Sequence, residues 1–101
     1  MQKKQSGLTM EAAETIGIQA LVFLSSDSEL LGRFLALSGL DPSAIRDVAS
    51  EPSFLAAVLD FLLSDDSLIL TFANNNALAP EEVVTAKFRL DPMSMATTGS
   101  L

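Results

Sequence analysis

The chain has 101 residues, 49 % of them apolar, with 13 acids against 6 bases and a net charge of −7. That length holds one domain with a single core, and the acid excess works against nucleic acid or an anionic membrane surface as a partner, because both attract clustered Lys and Arg. There is no His, Cys, Trp or Tyr, which removes imidazole and thiol chemistry, the usual zinc, haem and iron–sulfur ligands, and any disulfide.

Residues 1–8 are polar and read as a flexible N-terminal tail. Lys3 and Lys4 precede every acid, so the body from Thr9 to Asp91 carries 13 acids against 4 bases, a net −9. The basic start is not followed by the apolar run of a signal peptide, because Glu11, Glu14 and Gln19 interrupt it. Thr9 is placed to cap a first helix over about 10–25, with Glu11 near the positive end of its dipole. Its apolar face combines Ala13, Ile16, Gly17, Ala20, Leu21, Phe23 and Leu24.

Ser26-Asp27-Ser28-Glu29 has the Ser-x-x-Glu spacing of a capping box and opens a second helix, 27–38, whose inward face is Leu30, Leu31, Phe34, Leu35 and Leu37. Gly39 ends it in left-handed geometry. Asp41-Pro42 then starts a short third helix, 42–50, that buries Ile45, Val48 and Ala49. Pro52 forces a fresh start, since the residue before a proline avoids helical geometry.

The fourth helix, 52–64, is apolar over more than half its circumference, leaving only Ala56, Ala57 and Asp60 for the other side. A helix of that kind is central, with neighbours on several faces. Its run from Phe54 to Leu63 spans 10 residues and contains Asp60, about half of the roughly 20 a membrane crossing needs. Ser64-Asp65-Asp66 opens a fifth helix with Leu68, Ile69, Phe72 and Ala73 inward, closed by Asn74-Asn75-Asn76, because asparagine tolerates left-handed geometry. Pro80 opens a sixth, with Val83, Ala86, Lys87 and Leu90 inward, and Asp91-Pro92 stops it. Residues 92–101 lack periodicity and read as a disordered C-terminal tail.

Residues 21–50 placed on 59–88 give 9 identities in 30 positions, against roughly 3 expected by chance, and self-similarity at a fixed period marks repeated structure. The identities include the Ser26/Ser64 and Asp27/Asp65 caps and the Pro42/Pro80 starts. The expected fold is therefore all-α: a compact globule of five to six short helices in a single domain, 9–91. It is built as two three-helix units with a period of 38, repeat one at 12–50 and repeat two at 51–88. The copies diverge off the main stripe, where Val22 stands against Asp60, Ser25 against Leu63, Gly32 against Leu70 and Leu35 against Ala73. Val22, Leu35, Leu63 and Leu70 are thus the candidate partner-binding residues, set against the plainer role of filling gaps between helices.

Other chemistry is thinly supported. Asp60 is the acid most surrounded by apolar sequence, yet its helical angle places it on the polar side, exposed or paired with Arg33 or Arg46. Asp27, Glu29, Asp65 and Asp66 sit in first turns, where capping accounts for them, and lack the alternating oxygens and glycine of a calcium loop. The serines have no histidine to activate them, and no Gly-x-x-x-x-Gly-Lys loop is present to cradle phosphate. No catalytic, cofactor or metal site is expected.

Leu31-Gly32-Arg33-Phe34-Leu35-Ala36-Leu37-Ser38-Gly39-Leu40-Asp41-Pro42, followed by Phe54-Leu55-Ala56-Ala57-Val58-Leu59-Asp60-Phe61-Leu62-Leu63, resembles a bacterial, alphaproteobacterial family of short proteins, that of domain of unknown function 3572, over about residues 12–90. The resemblance implies a small stand-alone bacterial cytoplasmic protein and transfers no catalytic residue. The expected function is a non-enzymatic helical module that binds another protein or a second copy of itself as a homodimer, without nucleic acid or membrane. The alternative is a binding protein for a small apolar ligand or cation, with its site between the two repeats.

Overall fold

Each helix begins where the sequence supplies a cap or a proline. The computed structural model describes residues 8–91, which form α1 (Met10–Ser25), α2 (Ser28–Ser38), a 3-10 turn (Pro42–Ala44) running into α3 (Ile45–Val48), α4 (Pro52–Leu63), α5 (Asp66–Asn75) and α6 (Pro80–Leu90), with no strand among them. The two tails expected at 1–8 and 92–101 fall, apart from Leu8, outside the described residues. Leu8 packs against the core, and its carbonyl accepts a 3.0 Å hydrogen bond from Arg89 Nε.

Local chemistry explains the ends. Thr9 Oγ1 accepts from the Ala12 N–H at 3.0 Å, satisfying a donor that the first turn leaves open. The second helix is capped by Asp27 rather than by the expected Ser26. Ser26 is still helical, at φ −80 and ψ −6, and donates its hydroxyl to the Phe23 carbonyl at 2.7 Å. Asp27 is the first extended residue, and its Oδ1 accepts from Glu29 and Leu30 at 3.0 and 3.3 Å. The equivalent positions of repeat two form the same corner: Ser64 Oγ donates to the Phe61 carbonyl at 2.7 Å, and Asp65 Oδ1 accepts from Ser67 and Leu68 at 2.9 and 3.2 Å.

The left-handed residues also stand one period apart. Gly39 ends α2 at φ 74, as expected, whereas α5 closes through Ala77 at φ 54 rather than through an asparagine. Asn76 stays near φ −113 because its Nδ2 donates to the Phe72 carbonyl at 3.0 Å, which passes the reversal to the next residue. The Leu78 and Ala77 amides then close on Ala73 and Asn74, the paired bonds of a Schellman ending. An L-residue in that conformation is strained by roughly 1 kcal/mol, which glycine relieves. Ala77→Gly is therefore expected to raise stability by up to about 1 kcal/mol in urea titration, and Ala77→Val to lower it.

The core lies where α1, α4 and α6 meet, with α2 against α1 and α5 against α4 and α6. The central α4 buries Phe54, Leu55, Ala56, Val58, Leu59 and Leu62. Ala56, assigned by its angle to the polar side, is 5 % exposed because α6 runs along that flank and a methyl group admits it closely. Two further assignments change for want or presence of a neighbour. Leu37, expected inward, is 77 % exposed, because α2 buries only Phe34 and no other helix covers Leu37. Ile45, Val48 and Ala49 are half-buried, since the third helix is only four residues long after its 3-10 turn.

Two contacts define how the halves pack. Phe23 of α1 meets Phe72 of α5 edge to face at 5.6 Å, and Phe61 of α4 meets Phe34 of α2 at 5.5 Å. Moving one period along the chain turns the first pair into the second with its members exchanged. Such reciprocity belongs to a two-fold relation, in which i meets j and j meets i, and not to a translation along a solenoid. Gly17 meets Leu55, its own counterpart in repeat two, as a residue beside a two-fold axis must: a Cβ added to Gly17 would lie 2.8 Å from Leu55 Cβ. The third helices depart from the symmetry, with Val83, Ala86 and Leu90 buried in α6 and no residue buried in α3.

Candidate functional site

Charge comes first. No polar or charged side chain is buried among the described residues. Asp60 is 69 % exposed and pairs with Lys87 at 3.6 Å, not with the expected Arg33 or Arg46. The partner follows from packing, since α6 lies on the Asp60 flank of α4 and brings Lys87 to it. An exposed pair of this kind contributes at most about 1 kcal/mol. The Lys87 ammonium also stands 4.9 Å from the centre of the Phe88 ring.

Four of the other acids serve helix starts. Asp27, Asp41 and Asp65 accept backbone N–H groups at the starts of α2, the 3-10 turn and α5, and Glu82 Oε1 accepts from the Ala79 N–H at 2.8 Å ahead of α6. Among the described residues, no group of three or more acids is placed to hold a metal ion. No helix there is long and apolar enough to cross a membrane.

The apolar surface is more informative. Of the four divergent positions, Val22 is 63 % and Leu70 59 % exposed, while Leu35 and Leu63 are half-buried against the core. Leu35 and Leu63 thus close gaps between helices, whereas Val22 on α1 and Leu70 on α5 present uncovered side chains. Met10, Ile18, Leu37, Val84 and Phe88 are exposed as well and are not among the sequence candidates. A sequence signal exists for Ile18, which lies one turn before Val22 on the same face of α1.

A groove of about 240 Å³ runs between the repeats, lined by Phe34, Leu37 and Ser38 of α2 and by Ala57, Asp60 and Phe61 of α4, with Ser64 at its end. Its floor is apolar and its single charge, Asp60, is already paired. Such an arrangement offers apolar contact area.

The family described as protein of unknown function (DUF3572) has a model that matches residues 10–93. No curated protein and no solved structure matches the chain.

Proposed function

We propose that this chain, which belongs to the DUF3572 family, is a non-enzymatic helical interaction module that engages another protein, or a second copy, through its uncovered apolar side chains. The observation that carries this reading is the set of exposed large apolar residues, Met10, Ile18, Val22, Leu37, Leu70, Val84 and Phe88, on a body with no buried polar or charged side chain among its described residues. Single exposed apolar side chains are ordinary, but several sharing helix faces mark contact surfaces. The net −9 of residues 9–91 directs the module away from nucleic acid and anionic lipid and toward neutral or basic protein surfaces. The same reading places it in the cytoplasm of a bacterial cell.

Binding of a small apolar ligand between the repeats is less well supported. Of two grooves between the repeats, that of about 240 Å³ is smaller than the roughly 300–1,000 Å³ usual for such sites. That of about 350 Å³, lined by Phe23, Leu30, Leu68 and Thr71, has its single charge, Asp27, committed to capping α2.

The test combines Val22→Asp, Leu37→Asp and Leu70→Asp in one variant. Its thermal unfolding is expected to match wild type, because all three side chains are mostly exposed. Affinity capture from the native host should recover defined partners with the wild type and lose them with the variant. Light scattering at high micromolar concentration reads self-association in parallel. A wild type that is monomeric and recovers nothing overturns the proposal, as does a variant that recovers the same partners.

A further inference from the structure

The pseudo-two-fold makes a specific comparison possible between the surfaces of α1 and α4. Ala56 and Asp60 of α4 lie beside the C-terminal half of α6, bordering a crease with Ser53, Lys87 and Asp91, and Lys87 reaches Asp60 at 3.6 Å. Of their counterparts on α1, Ile18 is 47 % exposed where Ala56 is 5 %, while Val22 at 63 % and Asp60 at 69 % are both open to solvent. The chain itself explains the difference. Residues 87–90 complete α6, but residues 49–52 do not extend α3, which stops at Val48 so that Pro52 can begin α4. α6 packs along α4, whereas α3 does not pack along α1, so Ile18 has no cover of the kind that Ala56 has. The seat on α1 is open.

We infer that the Ile18–Val22 ridge of α1 is a docking seat for a cationic amphipathic helix of a partner protein. The inference rests on the interaction reading above and names its surface and the chemistry of its partner. Apolar residues one turn apart on the incoming helix would cover Ile18, as α6 covers Ala56, and extend the contact to Val22. The charge follows from the same face: Glu14 lies one turn before Ile18 and Glu11 just beyond it, and α1 contains no Lys or Arg. From Glu11 to Val22 the ridge is about 17 Å long at 1.5 Å per residue, room for about three turns with lysine or arginine at the acidic end. The chain supplies its own precedent in α6, whose Lys87 and Arg89 clamp it to Asp60 of α4 and to the Leu8 carbonyl ahead of α1.

A second copy fits the seat poorly. Parallel pairing of two α1 helices sets Glu14 against Glu14. Antiparallel pairing centred near Ala20 brings Glu11 and Glu14 to the end where Asp27 and Glu29 open α2. Both orientations oppose like charges on a body of net −9.

The probe is a synthetic helix of about 14 residues made of leucine and lysine, with leucines at i, i+3, i+4 and i+7, titrated into the full-length ¹⁵N-labelled protein. Amide shifts are expected to centre on Glu14, Ile18 and Val22, and the same peptide with glutamate for lysine should not bind. The deciding variant is Val22→Asp, which restores the residue type found at position 60. It adds attraction for lysine while removing half the apolar ridge, and affinity is expected to fall about tenfold or more by calorimetry. Equal or tighter binding means the peptide adheres by charge alone and overturns the inference. Shifts centred on Phe34, Leu37 and Phe61 with the ridge silent also overturn it, while leaving the interaction module standing. A concentration-dependent dimer dispersed by Val22→Asp replaces the proposed occupant with a second copy. Absence of shifts on every face removes the seat, and the broader reading is then decided by its own capture experiment.

Discussion

Leu59→Ala is expected to destabilise the fold by about 2–5 kcal/mol, the range for truncating a buried leucine when the cavity cannot collapse. Leu59 has no exposed surface, and it sits on α4, the helix against which α1, α5 and α6 all pack. Three neighbours cannot close on one void without breaking their contacts with one another, which argues for the upper part of that range. Against a typical total of about 5–15 kcal/mol the loss is severe. Urea titration should show a lower midpoint at an unchanged slope. Leu37→Ala provides the matched control. It removes the same atoms from a side chain that is 77 % exposed, so it should change stability by no more than about 0.5 kcal/mol. A Leu59 loss under about 1 kcal/mol would mean that α4 is not the centre of the core.

The contrast between those two leucines also marks how far the sequence is legible. Helix starts are readable at Thr9, Pro42, Pro52 and Pro80, because a cap or a ring acts on backbone atoms of its own first turn. Where two caps compete, at Ser26 and Asp27, the choice depends on which residue first leaves helical geometry, and composition does not carry that. The left-handed end at Gly39 is readable, whereas Ala77 is not, since an alanine there is tolerated only by the surrounding hydrogen bonds. Burial is readable where a helix is apolar on nearly every side, as in α4. It fails at Leu37, Ala56 and the third helix, because exposure depends on which distant element covers a face. Ala56 is covered by a helix that begins only at Pro80, beyond the whole of α5; Leu37 has no such cover.

The same limit governs the candidate site. Divergence between the copies singles out Val22, Leu35, Leu63 and Leu70, because a position that escapes the repeated core is free to differ. It does not separate the two that plug gaps from the two that stay uncovered. Nor does the period distinguish a rotation from a translation, since both produce the same self-similarity. Only the exchange of partners between the Phe23–Phe72 and Phe34–Phe61 pairs does so. Once the two-fold is known, Ile18 acquires a reference state in Ala56, and its exposure becomes a difference to be explained rather than an isolated number.

Gly17→Ala is expected to destabilise the protein even though alanine is the better helix former. In an exposed helix the exchange gains about 1 kcal/mol. At Gly17 the added Cβ would stand 2.8 Å from Leu55 Cβ and 3.3 Å from Leu55 Cγ and Cδ1. Rotation can move Cγ and Cδ1, but Cβ is fixed to the α4 backbone, so relief requires α1 and α4 to separate. Separation loosens α6 as well, because α6 packs on both. Overpacking of this kind costs about 1–3 kcal/mol, which outweighs the helix-forming gain over most of its range. Gly32→Ala isolates the other term: an added Cβ there has nothing within 4 Å, and stability should rise by about 0.5–1 kcal/mol. Opposite signs for one chemical change, read in the same urea titration, are the expected result; stabilisation at both positions would show that the α1–α4 contact is compliant. The two-fold adds a sharper test. Gly17→Leu alone should be worse than Gly17→Ala, but combining it with Leu55→Gly restores one glycine and one leucine to the contact with their helices exchanged. Because the two residues are each other's counterparts beside the axis, the double variant should recover part of the stability that Gly17→Leu loses. A double variant no more stable than Gly17→Leu would place the axis elsewhere, and with it the equivalence that assigns the open seat on α1.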